Sequence, residues 1–245
     1  MLIDSKENNG CKHKKPRIVE IVGPAGAGKT TLCKLLSLRR GVRSSNFPDV
    51  RRVANAPFFI SYGLRLTPVL AHLSRPGDRQ LSRREFAWLT ILSGWPMILQ
   101  KELKRNNSLI VLDQGPIYLL AEISEFGPDC LKSEWAEEVW ERWYRQWAAM
   151  LDIVVWLDAA DEYLLERIRS REKEHVVKGE SARVIFDFLR RYRDVYEYIL
   201  SRLATNRSGL KILRFDTTRQ TPEVIANHLL AEFDLKAAPS GDWES

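Results

Sequence analysis

The chain has 245 residues, 44% of them hydrophobic, and 38 basic against 32 acidic residues leave a formal net charge of +6. This size suits one large α/β domain, and no apolar run approaches the roughly 18 residues of a membrane span, so we expect a cytoplasmic protein. The basic residues are interleaved with acidic ones, which disfavours nucleic-acid binding and suits a protein that handles phosphates.

The first 15 residues are polar and basic, and they lack the apolar stretch of a secretory signal. We expect residues 1–15 to form a flexible tail. The three cysteines, Cys11, Cys33 and Cys130, share no metal-ligand spacing, which predicts reduced thiols.

Residues 17–22 form a short apolar run that predicts a first strand, and residues 31–38 predict the helix that follows. The segment between them matches the phosphate-binding P-loop pattern G-x-x-x-x-G-K-[ST] at every fixed position: Gly23, Pro24, Ala25, Gly26, Ala27, Gly28, Lys29 and Thr30. Small residues in such a loop let backbone N–H groups wrap a phosphate chain at a helix N-terminus. We predict that this loop, with Thr31, binds ATP, that Lys29 reaches the outer phosphates, and that Thr30 offers its hydroxyl to Mg²⁺.

The next part of the chain predicts one strand and a helical region. Residues 49–54 predict a second strand, and residues 56–74, which mix aromatics with proline and glycine, predict loops and a short helix. Ser82 and Glu85 match a capping box at the start of a helix that runs toward residue 104, bent or interrupted at Pro96. We expect this region, about residues 56–105, to bind substrate.

The remainder alternates strands with helices. Apolar runs predict strands at residues 109–113, 153–158 and 211–215. Helices are predicted at residues 133–150, 161–171 and 182–204, and a last one after the cap Thr221, with Pro222 at its first position. This alternation predicts a parallel sheet covered on both faces.

Two further segments complete this part. We expect a lid over about residues 167–181 and a loose tail over residues 236–245.

Trp140, Trp143 and Trp147 lie three and four residues apart, which predicts a stripe that packs against the core or against a second subunit of a homodimer.

Asp113 closes an apolar strand, and the carboxyl edge of an open α/β sheet is where ligands bind. A carboxylate there can hold Mg²⁺ through water or accept a proton from an attacking hydroxyl. The alternative is an ordinary turn, because Asp113, Gly115 and Pro116 all favour turns. The next residue, Gln114, is not the water-polarising glutamate of many P-loop motors, which disfavours a hydrolytic motor.

A basic cluster follows the fourth predicted strand: Arg167, Arg169, Arg171, Lys173 and Lys178. Arg167 and Arg171 are four residues apart and therefore share one helix face, from which they could grip a phosphate chain opposite the P-loop. The alternative is a solvated helix face paired with neighbouring glutamates.

These motifs, in the order P-loop, strand ending Leu-Asp, strand ending Trp-Leu-Asp and then Leu165-x-Arg167-Ile168-x-x-Arg171-x-Lys173, resemble the P-loop nucleoside and nucleotide kinases. Thymidylate kinases and deoxynucleoside kinases are the most similar. The resemblance implies a three-layer α/β/α P-loop fold with a five-stranded parallel sheet in the order 2-3-1-4-5, an arginine-bearing lid, and phosphoryl transfer from ATP with Mg²⁺.

On this pattern Arg167 and Arg171 match the lid arginines, and they join Lys29 and Asp113 as predicted catalytic residues. Thr30 and Asp113 are the predicted metal site. The chain departs from the pattern after its third strand, because thymidylate kinases carry Asp-Arg there and deoxynucleoside kinases carry Glu-Arg-Ser, against Asp113-Gln114-Gly115 here.

The acceptor pocket is expected to face the P-loop across the sheet edge, with aromatic rings for stacking and polar groups for a phosphate or ring edge. The residues expected to contact the acceptor are Phe58, Tyr62, Arg65, Arg84, Trp88 and Gln114. Trp88, Leu92 and Trp95 also share one apolar helix face, so core packing stays the alternative for Trp88.

The motifs together predict an ATP- and Mg²⁺-dependent kinase that phosphorylates a small molecule, in the first place a nucleoside or nucleoside monophosphate. A non-nucleotide metabolite or an antibiotic is the alternative acceptor. From another class, a P-loop ATPase or switch that acts on a macromolecule stays open, although residues 156–161 lack the base-reading motif of a guanine-specific switch.

Overall fold

A computed structural model of the chain describes residues 18–49, 52, 55–67, 69, 81–105, 108–171 and 176–233. The two predicted tails, residues 1–15 and 236–245, lie outside the described residues, as do residues 172–175 of the predicted lid. Within the described part of the chain, no helix is long and apolar enough to cross a membrane.

Five parallel strands form one sheet in the order β2-β3-β1-β4-β5. Their bounds are β1 (Ile18–Val22), β2 (Val42–Ser45), β3 (Leu109–Leu112), β4 (Ile153–Asp158) and β5 (Lys211–Asp216). The strands β1, β3 and β4 are apolar and buried almost throughout, as in parallel sheets covered on both faces. The predicted α/β class and strand order are confirmed.

Helices flank this sheet. Their bounds are α1 (Lys29–Ser37), α2 (Ala56–Arg65), α3 (Arg83–Arg105), α4 (Pro116–Phe126), α5 (Glu137–Met150), α6 (Asp161–Ser170), α7 (Ala182–Asn206) and α8 (Pro222–Glu232). Helix α1 packs against α8, whereas α7 packs against α4 and α5. The predicted caps are confirmed, because the Ser82 hydroxyl accepts the Glu85 N–H while the Glu85 carboxylate accepts the Ser82 N–H, and Thr221 accepts the Val224 N–H.

Three elements differ from the predictions. The second strand is Val42–Ser45, so the strand predicted at residues 49–54 is wrong: Asp49 and Arg52 lie outside any strand, and the other four residues lie outside the described part. Helix α4 was not predicted at all. The helix predicted at residues 133–150 begins as a 3-10 turn, Glu134–Ala136, and is α-helical only afterwards.

Helix α3 continues through Pro96 without interruption. Because proline has no N–H, the carbonyl oxygen of Leu92 loses its partner within the helix. Two side chains of α5 replace it: Trp147 donates from Nε1 and Gln146 donates from Nε2, each at 3.1 Å. Trp143 and Trp147 are buried, which confirms that the predicted tryptophan stripe packs against the core.

Helix α2 lies tightly against α3 because Gly94 has no side chain. A β-carbon there would overlap the rings of Phe58 and Tyr62, which lie at 2.6–2.7 Å from its position. The aromatic side chains of α2 therefore fill the space over the middle of α3.

Candidate active site

The P-loop connects β1 to α1 at the carboxyl edge of the sheet. Gly23 opens it with φ of 141°, a conformation that L side chains rarely adopt, and a β-carbon there would overlap the carbonyl oxygen of Leu157 at the end of β4. Ala27 is fully buried, so residues 23–28 offer mainly backbone groups to the loop's interior. The loop therefore sits against the ends of both neighbouring segments, β1 and β4.

Lys29 begins α1, and its Nζ donates to the carbonyl oxygens of Gly23 at 2.7 Å and Pro24 at 2.8 Å. Burial lowers the pKa of Lys29 to about 8; the Asp113 carboxylate opposes this shift and the Arg171 guanidinium adds to it. The ammonium is thus held across the loop by oxygen atoms whose place a phosphate oxygen can take.

Thr30 and Asp113 meet although they are far apart in sequence. The Thr30 hydroxyl donates to Oδ1 of Asp113 at 3.2 Å. The contact follows from the sheet order, because β1 pairs with β3 and both strands end at this edge. A hydroxyl and a carboxylate in contact are a suitable pair of oxygen ligands for Mg²⁺.

Behind Asp113 lies a buried carboxylate, Glu20, which the sequence did not single out. Its two oxygens accept the N–H groups of Ile117 and Tyr118 at 3.1 Å each, at the start of α4. Burial raises the pKa of Glu20 to about 8, against the lowering effect of these backbone N–H groups. Glu20 thereby fixes the turn that carries Asp113 to the N-terminus of α4.

Arg167 of α6 is anchored rather than free. Its guanidinium donates to Oγ1 and the carbonyl oxygen of Thr217, both at 2.9 Å, and contacts the Gly26 carbonyl oxygen at 3.4 Å. It ties the loop after β5 to the P-loop, a role that the sequence did not predict. Arg171, in contrast, is exposed, and Lys178 donates to its carbonyl oxygen at 2.6 Å.

A second arginine, Arg193 of α7, joins the end of β4 to the start of α6. It contacts both oxygens of Asp158, at 2.9 and 3.0 Å, and Asp161 at 2.6 Å. No local pattern marks this residue, because its partners lie more than thirty positions earlier in the chain.

Arg84 and Trp88 lie together at the start of α3. The Arg84 guanidinium is 4.4 Å from the centre of the Trp88 ring and 3.9 Å from the Glu122 carboxylate of α4. Tyr192, next to Arg193, donates its hydroxyl to Glu122 at 2.8 Å. Because Arg193 contacts Asp158 at the end of β4, the cluster of Arg84, Glu122 and Tyr192 lies at the same edge of the sheet as Asp113.

The other four acceptor residues are dispersed. Gln114 is exposed beside Asp113, and Phe58 packs against Tyr62 and the backbone at Gly94. Tyr62 and Arg65 line a separate cavity between α2, α3 and α5, whose lining includes none of Lys29, Asp113 or Arg84. Of the six residues expected to contact the acceptor, only Tyr62 and Arg65 line this cavity, and a single acceptor pocket formed by all six stays a prediction. Helix α2 contacts α3 near its first turn as well as at its middle, because a β-carbon on Gly63 would lie 2.8 Å from the Phe86 ring.

No protein-family model and no curated protein sequence matches the chain. Among solved structures, the thymidylate kinase from Candida albicans aligns over 90% of this chain and 92% of its own, with 15% identity and a TM-score of 0.51. The chain has the fold of the P-loop nucleotide kinases.

Two other solved structures of this fold align as well. The deoxyadenosine kinase from M. mycoides with bound dATP shares 18% identity over 87% of this chain and 98% of its own, with a TM-score of 0.47. The YorR protein from Bacillus subtilis in complex with phosphorylated GDP shares 16% identity over 89% and 95%, with a TM-score of 0.49.

Proposed function

We propose that the protein is an ATP- and Mg²⁺-dependent phosphotransferase whose acceptor is a nucleoside or nucleoside monophosphate. The observation that carries this proposal is the contact between Thr30 and Asp113 beside the P-loop lysine, Lys29. The kinase-like fold supports it independently.

The residues present fit a metal–nucleotide pair. Gly23 lies too close to Leu157 for a side chain, Lys29 supplies a cation, and Thr30 with Asp113 would hold Mg²⁺ together with phosphate oxygens and water. When bound, Mg²⁺ neutralises charge that develops on the transferring phosphoryl group.

The chemistry requires little of the protein beyond positioning. The acceptor oxygen forms a bond to the γ-phosphorus of ATP, and the bond from that phosphorus to the bridging oxygen of ADP breaks. For a hydroxyl acceptor the proton passes to the carboxylate of Asp113. For a monophosphate acceptor the attacking oxygen carries no proton, and Asp113 serves the metal alone.

Arg171 and Arg167 have different proposed roles in the reaction. Arg171 is exposed and its charge contributes to the lowered pKa of Lys29, so it is the lid residue that we assign to charge on the transferring group. Arg167 holds the Thr217 loop to the P-loop and thereby shapes the donor side.

Arg84 is our candidate for the acceptor side. Its side chain is 69% exposed, yet Trp88 and Glu122 hold it in place. A cation here suits an acceptor phosphate or a polar ring edge, and Trp88 supplies a flat surface behind it. Because Gln114 stands where the similar kinases carry arginine, an acceptor other than a nucleotide is the second candidate.

The test is transfer of label from γ-labelled ATP to a panel of nucleosides, nucleoside monophosphates and hydroxylated metabolites. We expect a labelled product that Lys29→Ala abolishes, and that Asp113→Asn reduces about 10²- to 10⁴-fold if the acceptor is a hydroxyl. Label released only as free phosphate, whatever the acceptor, would overturn the proposal in favour of an ATPase or switch.

A further inference from the structure

A cavity of about 440 Å³ lies between α2, α3 and α5, away from the site described above. Its walls include Tyr62 and Arg65 of α2, Ser93 of α3, and Arg142 and Gln146 of α5. The lining also includes two indole rings, Trp135 and Trp143. This volume falls within the range of small-molecule sites, about 300–1,000 Å³.

The floor of this cavity, which we call the α2–α5 cavity, is held rigidly. Trp143 is buried and donates from Nε1 to the Ser93 hydroxyl at 3.2 Å. Gln146 donates from Nε2 to the carbonyl oxygens of Leu92 and Ser93, the groups beside the proline of α3. No described residue donates a hydrogen bond to its Oε1, so this acceptor is free on a side chain that lines the cavity.

Two arginines lie at the rim of this cavity. Arg65 and Arg142 come from different helices, both are exposed, and neither forms an ion pair with any described residue. Arg65 stacks over the Tyr62 ring at 4.9 Å, so its planar fork is already oriented. Glu138 is the acidic member of the lining, which leaves one excess positive charge.

The cavity is separate from the phosphate-binding edge. Ser93 lies nine residues after Arg84, about 13 Å along the same helix. The lining of the cavity includes none of Lys29, Asp113, Arg84 or Arg167, the residues placed at the carboxyl edge of the sheet.

We propose that the α2–α5 cavity is a second ligand site, which binds a small molecule with a planar aromatic ring and a phosphate or carboxylate group. The ring lies against Trp135, Trp143 and Tyr62, and the anion bridges Arg65 and Arg142 through charge-assisted hydrogen bonds. Gln146 Oε1 and Glu138 accept donors on the ring edge. The site does not depend on the proposed kinase activity.

The test measures binding of 1-naphthyl phosphate, 1-naphthoate and uncharged 1-naphthol to the full chain by titration calorimetry. We expect both anions to bind and naphthol to bind at least about tenfold more weakly. The phosphate-to-carboxylate comparison tells which anion the arginines prefer.

Substitutions of residues that line the α2–α5 cavity test whether the probes bind there. Arg142→Ala and Arg65→Ala are each expected to weaken anion binding about tenfold or more, and Val139→Trp, which fills the cavity, to abolish it. Arg145→Ala, an exposed arginine of the same helix outside the lining, is the matched control and should leave the affinity unchanged. Circular dichroism of each variant checks that the fold is intact.

Three results would overturn the proposal. The first is no binding of either anion in the millimolar range. The second is equal affinity in Arg142→Ala and Arg145→Ala. The third is loss of binding in Lys29→Ala, which would assign the probe to the P-loop instead.

Discussion

The carbonyl oxygen of Leu92, deprived of its helical partner by Pro96, accepts a hydrogen bond from the indole N–H of Trp147 at 3.1 Å. Trp147 is fully buried, and its ring also meets that of Trp95 edge-on with centroids 5.8 Å apart. The carbonyl group that Pro96 leaves without a partner in α3 is thus the point at which α5 forms a hydrogen bond to α3.

Trp147→Phe should lower the free energy of unfolding by about 1 to 3 kcal/mol, because it removes the donor and leaves part of the space unfilled. Urea denaturation measures the loss. In a Pro96→Ala background the restored N–H can serve Leu92, so the cost of Trp147→Phe should shrink. An unchanged cost in that background would show that the indole contributes by packing alone.

Glu20 should make stability depend on pH. Its pKa is raised from 4.5 to about 8 in the folded protein by burial, so in this interval the unfolded chain releases a proton that the folded chain keeps. The contribution of Glu20 to stability is therefore greatest at low pH and falls as the pH rises toward 8, by up to about 1.4 kcal/mol per pH unit.

The measurement is the free energy of unfolding of the protein and of Glu20→Gln across this pH range. The difference between them should change steadily up to about pH 8 and then level off. A constant difference would mean that the folded and unfolded states titrate this carboxyl alike.

Gly115→Ala should destabilise the fold by about 1–3 kcal/mol through overpacking. The backbone of Gly115 is extended, with φ of −98°, which alanine adopts readily. The obstacle is the Glu20 carboxylate, whose oxygens lie 2.7 and 2.8 Å from the position of a β-carbon. Unfolding in the Glu20→Ala background tests this cause, since the cost of Gly115→Ala should largely disappear there.

Arg167→Lys should raise the KM for ATP by about tenfold, because one ammonium cannot reproduce the paired contacts with Thr217 and the contact with Gly26. Steady-state kinetics with the identified acceptor measure it. Arg169→Lys, an exposed arginine two residues on, is the matched control. A fall in kcat with an unchanged KM would instead assign Arg167 to the transferring phosphoryl group.

The parts that the sequence predicted well are those that local chemistry determines. The loop from Gly23 to Thr30 is contiguous, and the buried strands are continuous apolar runs. The edge strand β2 was missed because only Val42 of its four residues is buried, so it lacks an apolar pattern. Helix α4 was missed because Pro116, its first residue, completes a turn-like segment.

The side-chain contacts within the site could not be predicted from the sequence in the same way. Arg167 with Thr217 and Arg193 with Asp158 join residues that only the assembled sheet brings together. Spacing predicted that Arg167 and Arg171 share one helix face, but the helix ends at Ser170 and Arg171 follows it with an extended backbone. The prediction of a shared helix face is therefore wrong, and Arg167 is anchored whereas Arg171 is exposed.

The central position of β1 also has a consequence for how the chain is made. Ile18 pairs with Ile110 on one side, and Val19 pairs with Ile153 on the other. Loop-closure entropy must be overcome before such distant pairings contribute, which slows folding. During synthesis the phosphate-binding loop cannot acquire its final support until β4, more than 120 residues further along the chain, has emerged.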